Sequence, residues 1–253
     1  MIELIELTKY FKSIRAVDGI NLSVGKGVLY GFLGPNGAGK TTTLKMMAGV
    51  LKPTKGRILL GGRDLSREPT AVKKNMAFIP DHPFLYEKLT AVEFLRFVSD
   101  LYALDKTPVL EKEILRLLEL FGLEDRRDEL VEGYSHGMKQ RLVMCAALLH
   151  RPQVLIVDEP MVGLDPSGAR LVKDIFRREA RAGTTIFMST HSLEVAEELC
   201  DEIAIIQAGK IIAQGPPEVL KSKAGGNGNL ESLFLSLTKG NSKSHDAAHV
   251  SET

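Results

Sequence analysis

The stretch Gly34-Pro35-Asn36-Gly37-Ala38-Gly39-Lys40-Thr41 constrains this chain more than any other, because it meets the pattern GxxxxGK[ST] at every fixed position. Before it lies Val28 to Leu33, an apolar run that reads as a buried strand. After it, Leu44, Met47, Ala48 and Leu51 recur at helical spacing. The loop therefore joins a strand to a helix. Its glycines let the backbone fold into a nest of N–H groups, running from Asn36, Gly37, Ala38 and Gly39 through Lys40, Thr41 and Thr42, around phosphate oxygens. The start of the helix adds its positive dipole end, worth about 0.3–1 kcal/mol per facing charge at exposed sites. Lys40 is expected to reach the outer phosphates and the Thr41 hydroxyl to ligate Mg2+. Such a chain binds a nucleoside triphosphate.

At 253 residues the chain is long enough for one large domain with a substantial core and a smaller subdomain. A net charge of +1 and the lack of a basic stripe give no reason to expect a nucleic acid partner. The two cysteines lack metal-like spacing, and Cys145 sits among Leu142, Val143, Ala146 and Leu149 as a small buried hydrophobe. A reducing, cytosolic setting is expected. The first residues lack the basic and apolar regions of a signal peptide, and no apolar run approaches the roughly 20 residues of a membrane helix. Any spanning of a membrane is expected of another chain.

Short strand patterns fill the first third: Ile2 to Leu7, Ile20 to Val24, Val28 to Leu33, Arg57 to Leu60 and Met76 to Ile79. At Thr90 the period becomes helical, with Glu93 completing a capping box, and a second helix is expected from Pro108 to Phe121. Strands return at Val154 to Val157, Thr184 to Met188, Ile203 to Ile206 and Ile211 to Ala213, and Asp165-Pro166 opens a helix between two of them. Alternation at this spacing predicts an α/β fold with a mainly parallel, covered sheet, interrupted by a helical subdomain. Residues from Lys221 to Asn229 have the composition of a flexible linker. Leu230, Leu233, Phe234 and Leu237 form the apolar stripe of a docking helix, and residues 239–253 read as a disordered tail.

Two further stretches carry chemistry. The run Val154 to Val157 ends in Asp158-Glu159, and ligands of a parallel sheet sit beyond the carboxyl ends of its strands. Asp158 is expected to hold Mg2+ with Thr41, leaving Glu159 to orient or deprotonate an attacking water. Tyr134-Ser135-His136-Gly137-Met138 opens an apolar helix through Leu149, with Ser135 a good N-cap and Gly137 allowing close backbone approach.

The phosphate loop, this Ser-x-Gly helix start, Asp158-Glu159, Gly163-Leu164-Asp165 and Ser189-Thr190-His191 follow one another at intervals that resemble the ATP-binding subunit of an ATP-binding cassette (ABC) transporter. The resemblance spans roughly residues 1–220. It implies a P-loop NTPase (RecA-like) core, residues 1–85 and 140–220, with an N-terminal antiparallel β subdomain and an inserted helical subdomain, residues 86–139. It implies ATP and Mg2+ as ligands. Phe11 matches the aromatic that stacks on adenine, with Tyr10 the alternative. Ser135 and Gly137 match the signature loop that meets the γ-phosphate bound by a second ATP-binding subunit, and Asp165 matches the loop crossing that dimer interface. His191 matches the switch histidine.

Two departures stand out. Where the family usually has Gln after the strand ending at Ile79, sensing Mg2+ and coupling to the membrane subunit, this chain has Pro80-Asp81, so Asp81 is expected as a Mg2+ ligand carrying an extra charge at the coupling position. His136 and Met138 replace commoner residues of the signature. With the helix beginning Leu230-Glu231-Ser232-Leu233-Phe234, these variants are similar to exporters of drugs, polysaccharides or peptides. The resemblance implies a cytoplasmic protein, peripheral on the inner face of the cell membrane and bound to a separate transmembrane permease subunit. That permease would seat a short helix near Phe84, Leu85, Tyr86 and Leu89. A soluble ABC ATPase acting on ribosomes or DNA, or a non-hydrolysing regulatory subunit, is the alternative.

Overall fold

A computed structural model describes residues 1–82, 84–223 and 230–239. Strands β1 (Ile2–Phe11), β2 (Ile14–Val24) and β3 (Leu29–Leu33) lead into helix α1 (Lys40–Met47). Strands β4 (Lys55–Leu60) and β5 (Arg63–Asp64), helix α2 (Pro69–Lys74) and strand β6 (Met76–Ile79) follow. Helices α3 (Ala91–Leu101), α4 (Pro108–Leu120) and α5 (His136–Leu149) form a helical block. The chain returns to the sheet through β7 (Val154–Asp158), α6 (Pro166–Arg181), β8 (Thr185–Thr190), α7 (Leu193–Leu199), β9 (Glu202–Gln207) and β10 (Lys210–Gly215). It ends in α8 (Pro217–Lys223) and α9 (Leu230–Lys239).

Two sheets result. One is antiparallel, ordered β2-β1-β4-β5, with Ile2 opposite both Val24 and Leu60. The other is ordered β10-β9-β3-β8-β7-β6 and is parallel throughout except where β10 returns along β9. Every residue of β3, β7 and β8 is buried, as expected of strands covered on both faces, which explains their unbroken apolar runs. Between the sheets Tyr30 stacks on Phe187, with ring centroids 5.4 Å apart. Each such side chain contributes about 1.5–3 kcal/mol of burial. The helical block packs around Leu95, Ile114, Leu117, Phe121 and Cys145, all fully buried. Because β3, β6, β7 and β8 run in one direction, the loops that follow them gather at one edge of the sheet.

Local signals explain most boundaries. Thr90 accepts from Glu93 N and Glu93 returns a bond to Thr90 N, closing the expected capping box. Thr107 caps α4 ahead of Pro108, and Asp165 caps α6 ahead of Pro166. Some expectations are corrected. The first strand runs on to Phe11 and turns back at Lys12, whose φ is 52°. The linker expected from Lys221 does not begin there, because Pro217 starts a helical turn and Leu220 is fully buried, carrying α8 to Lys223. Lys239, expected in the tail, closes α9. Leu230 and Leu233 bury against this chain itself. Residues 224–229 and 240–253, and the side chain of Leu237, lie outside the described part of the structure.

His150 ties the helical block to the sheet. Its Nε2–H donates to the Met76 carbonyl oxygen at 3.2 Å, and its ring stacks on Tyr102 with centroids 3.8 Å apart. Its Nδ1 is buried without a hydrogen-bond partner among the described residues. Burial pushes its pKa below the ordinary 6.5. The neutral ring is thus the folded form, and stability present above pH 6.5 is lost as pH falls through the folded pKa, because the unfolded chain takes up the proton first. Urea denaturation of wild type and His150→Phe at pH 7.5 and 5.5 should show wild type losing more stability on acidification than the variant. Parallel losses would mean that His150 does not titrate differently in the two states.

Candidate active site

The phosphate-loop motif folds as its pattern demands. Gly37 and Gly39 have φ of 79° and 108°, the left-handed region that glycine occupies without strain. A β-carbon on Gly39 would lie 2.4 Å from the Ala16 carbonyl oxygen, and one on Gly34 would lie 2.4 Å from that of Ile206. A β-carbon on Gly37 would meet nothing within 4 Å, so this glycine faces open space. The loop borders a cleft of about 230 Å³ lined by Asn36, Gly37, Gly39, Lys40, Thr41 and Thr42, with Asp81 and Glu159 on its far side. Ala38 faces inward, 3% exposed, and its carbonyl accepts from Gly209 N.

Lys40 is 6% exposed. Its ammonium donates to the Gly34 carbonyl at 2.7 Å and the Pro35 carbonyl at 3.3 Å, and stands 3.5 Å from Glu159 Oε1. A buried cation needs such company. Asp158 ends β7 almost completely buried, accepting at 2.5 Å from the Ser189 hydroxyl. That same hydroxyl oxygen accepts from Glu159 N at 3.0 Å. One serine thus fixes both carboxylate residues. Glu159 sits at φ 48°, an uncommon backbone for a non-glycine residue that turns its side chain toward Lys40 and His191. His191, after β8, faces Glu159 Oε2 through Nδ1 at 3.0 Å. Nδ1 donates there, since the carboxylate can only accept.

Asp81 follows β6 and pairs with its neighbour His82 at 2.9 Å. Among the described residues no group of three or more His, Cys, Asp or Glu could cage a metal. The oxygen donors are few, the Thr41 hydroxyl and the Asp81 carboxylate on the cleft and the Asp158 carboxylate at the end of β7. Such a set fits Mg2+, which keeps several waters and binds through one or two carboxylates plus substrate phosphates. The Gly37 and Gly39 backbone and Lys40 fit those phosphates.

Other residues singled out from the sequence form a second cluster. Ser135 caps α5 by accepting from Met138 N at 3.3 Å. A β-carbon on Gly137 would sit 3.5 Å from the Gly163 carbonyl. Gly163 has φ 77°, and a β-carbon there would fall 2.4 Å from His136 Cδ2. Asp165 accepts from Ser167 Oγ at 2.6 Å and Gly168 N at 3.1 Å, and the Ser167 bond is first among the causes holding its pKa below the usual range. None of Ser135, Gly137 and Asp165 lines the 230 Å³ cleft. Phe11, at the end of β1, is 45% exposed with the Lys9 ammonium 5.2 Å above its ring, and it does not line the cleft either. Ala16 carries no sequence signal, and Ser189, part of the Ser189-Thr190-His191 run, gains its role only from the structure.

A profile described as "ABC transporter" matches residues 17–162. The chain is 40% identical over 226 residues to the daunorubicin/doxorubicin resistance ATP-binding protein DrrA of Streptomyces peucetius, covering 89% of this chain and 68% of that protein. It is 38% identical to the bacitracin transport ATP-binding protein BcrA of Bacillus licheniformis, covering 88% and 72%. A solved ATP-binding subunit of an ABC transporter superposes with a TM-score of 0.88 at 32% identity, covering 94% of this chain and 99% of that one.

The His136–Gly163 contact is testable by stability alone. Gly163→Ala should cost about 1–3 kcal/mol through its positive φ and overlap with the ring. Adding His136→Ala removes the overlap and leaves the φ strain, so the double variant should recover part of the loss in urea denaturation. Strictly additive costs would show that the two residues do not touch in solution.

Proposed function

This chain belongs to the ABC transporter family as an ATP-binding subunit, an ATPase that uses ATP with Mg2+, and from that premise we propose that it drives a separate membrane-spanning subunit by closing on a second ATP-binding subunit. One observation carries the composite-site reading. Lys40, Thr41, Asp81 and Glu159 line the phosphate-loop cleft, and Ser189 and His191 tie Asp158 and Glu159 together beside it, while Ser135 and Gly137 lie against Gly163 and do not line it. A site that uses both clusters would draw them from two subunits. Each ATP then lies between residues 34–41 of one subunit and Ser135 and Gly137 of the other, with Asp165 in the same interface.

The geometry at and beside the cleft supports these roles. The loop N–H groups and Lys40 bind and orient the phosphates. Thr41, Asp158 and Asp81 are the groups that would hold Mg2+, which when bound offsets phosphate charge. Glu159 accepts the proton of the attacking water. His191 holds Glu159 through Nδ1–H, and Ser189 holds both the Glu159 backbone and Asp158. Phe11 stands ready as an adenine platform, its ring partly open to solvent.

Among the described residues no helix is long and apolar enough to cross a membrane, which supports a partner that does the spanning. Phe84 and Tyr86 are 83% and 51% exposed, and Tyr86 packs edge-on to Phe97 at 5.0 Å, an aromatic step fit for a short helix of that partner. Leu85 instead joins the core. The relatives named for daunorubicin/doxorubicin resistance and bacitracin transport support export as the direction. A place on the inner face of the cell membrane follows from the same reading.

Glu159→Gln should keep ATP affinity, lower turnover about 10²–10⁴-fold, and elute as a dimer with Mg·ATP in gel filtration. A monomer under those conditions would contradict the two-subunit site. Asp81→Ala, assayed with the permease in vesicles, should lower transport more than ATP hydrolysis. Equal loss of both would make Asp81 a metal ligand with no part in coupling.

A further inference from the structure

The helix that begins at the phosphate loop ends beside a second cavity, of about 500 Å³, on the far side of α1 from the nucleotide cleft. Its volume lies within the range of small-molecule sites. Leu51 and Leu65 form its apolar floor, over Met46 and Ile58, which are sealed beneath at 0% and 3% exposed. Lys52, Lys55, Arg57 and Lys73 stand around it, and no carboxylate residue lines it. Charged residues elsewhere on this surface pair freely, as Arg63 does with Glu68 at 2.6 Å and Arg96 with Glu111 at 2.8 Å. The four cations of this rim enter no ion pair within 4.0 Å among the described residues.

Four like charges within one opening repel one another, and an apolar floor open to water is unfavourable. A ligand that relieves both carries an anionic head and a compact apolar body. Neither half is sufficient by itself. A plain anion leaves the floor wet, and a plain hydrocarbon leaves the rim unpaired.

We propose that this cavity is a binding site for a soluble anionic amphiphile, a small carboxylate borne on an apolar body. The carboxylate meets Lys52, Lys55, Arg57 and Lys73, and the body lies on Leu51 and Leu65. Since Met46, beneath that floor, belongs to α1, the ligand sits beside the C-terminal end of the helix whose N-terminus follows the phosphate loop. The 8 residues of α1 span about 12 Å, so the two sites are joined by one short rigid element.

The test is direct binding to the full-length protein by isothermal titration at pH 7.5 and constant salt, using octanoate, 1-octanol and acetate. Octanoate should bind saturably and at least tenfold more tightly than either of the others. The exposed-residue variant Lys52→Ser/Arg57→Ser/Lys73→Ser should weaken octanoate at least tenfold while its ATP affinity stays at the wild-type value, which excludes misfolding. A second variant, Leu51→Asp, should weaken octanoate through the floor with the rim intact. No saturable octanoate binding, equal affinity for octanoate and octanol, or undiminished binding by the rim variant would each overturn the proposal. Binding of phosphatidylglycerol vesicles without binding of soluble octanoate would overturn it in favour of a lipid surface.

Discussion

The loop from Gly34 to Thr41 is wedged between the two sheets, and the rest of the molecule is arranged around that wedge. On one side Gly34 approaches the Ile206 carbonyl of β9, and on the other Gly39 approaches the Ala16 carbonyl of β2, each so closely that a β-carbon would stand 2.4 Å away. Asp18 N donates to the Gly209 carbonyl and Gly209 N to that of Ala38, so the hairpin joining β9 to β10 is laced to both. The three glycines therefore answer to different demands. Gly34 and Gly39 allow backbone to pack on backbone, while Gly37 keeps the left-handed turn open toward the cleft. Phosphate recognition is built on a packing constraint that would exist with no phosphate at all.

Charge is handled with similar economy. Lys40, the most buried cation of the site, is satisfied by two loop carbonyls and by Glu159. Burying it without them would cost several kcal/mol. Glu159 in turn occupies a left-handed backbone that costs about 1–3 kcal/mol. The Ser189 hydroxyl holds that conformation from outside the strand, accepting from Glu159 N while donating to Asp158. Strain at the candidate base and order at the candidate metal ligand thus share one oxygen atom. Removing that atom would loosen both at once, which a side chain acting on either carboxylate alone could not do.

Much of this was legible in the chain. The buried strands announced themselves as unbroken apolar runs, because burial on both faces leaves no room for alternation. Thr90, Ser135 and Asp165 marked helix starts, because an orphan N–H needs an acceptor wherever the chain folds. What escaped depends on tertiary context. Helix α7 spans only Leu193–Leu199, too short to show a period, and exists because Ser192 caps it and Ala196 and Leu199 find a core. The run Lys221 to Lys223 has the composition of a linker, yet it is drawn into α8 by the burial of Leu220. The strand order β10-β9-β3-β8-β7-β6 is set by crossovers that no local pattern encodes. The φ of Glu159 and the double duty of Ser189 belong to the same class, since both are consequences of two distant strand ends meeting.

The separation of the two residue clusters is narrower along the chain than in space. Glu159 and Asp165 lie on the same connection between β7 and α6, with Gly163 between them. At one end Glu159 is held by Ser189, His191 and Lys40. At the other, Asp165 is fixed as the cap of α6 by Gly168 N. Between these anchors His136 lies against Gly163 so closely that a β-carbon there would fall 2.4 Å from its ring. A short segment pinned at both ends cannot absorb a displacement of Glu159 without moving its middle. Its middle is in contact with the residue that starts α5, beside Ser135 and Gly137. The connection from β7 to α6 therefore joins, within a few residues, the anchors of Glu159 to the contact that Gly163 makes with the start of α5.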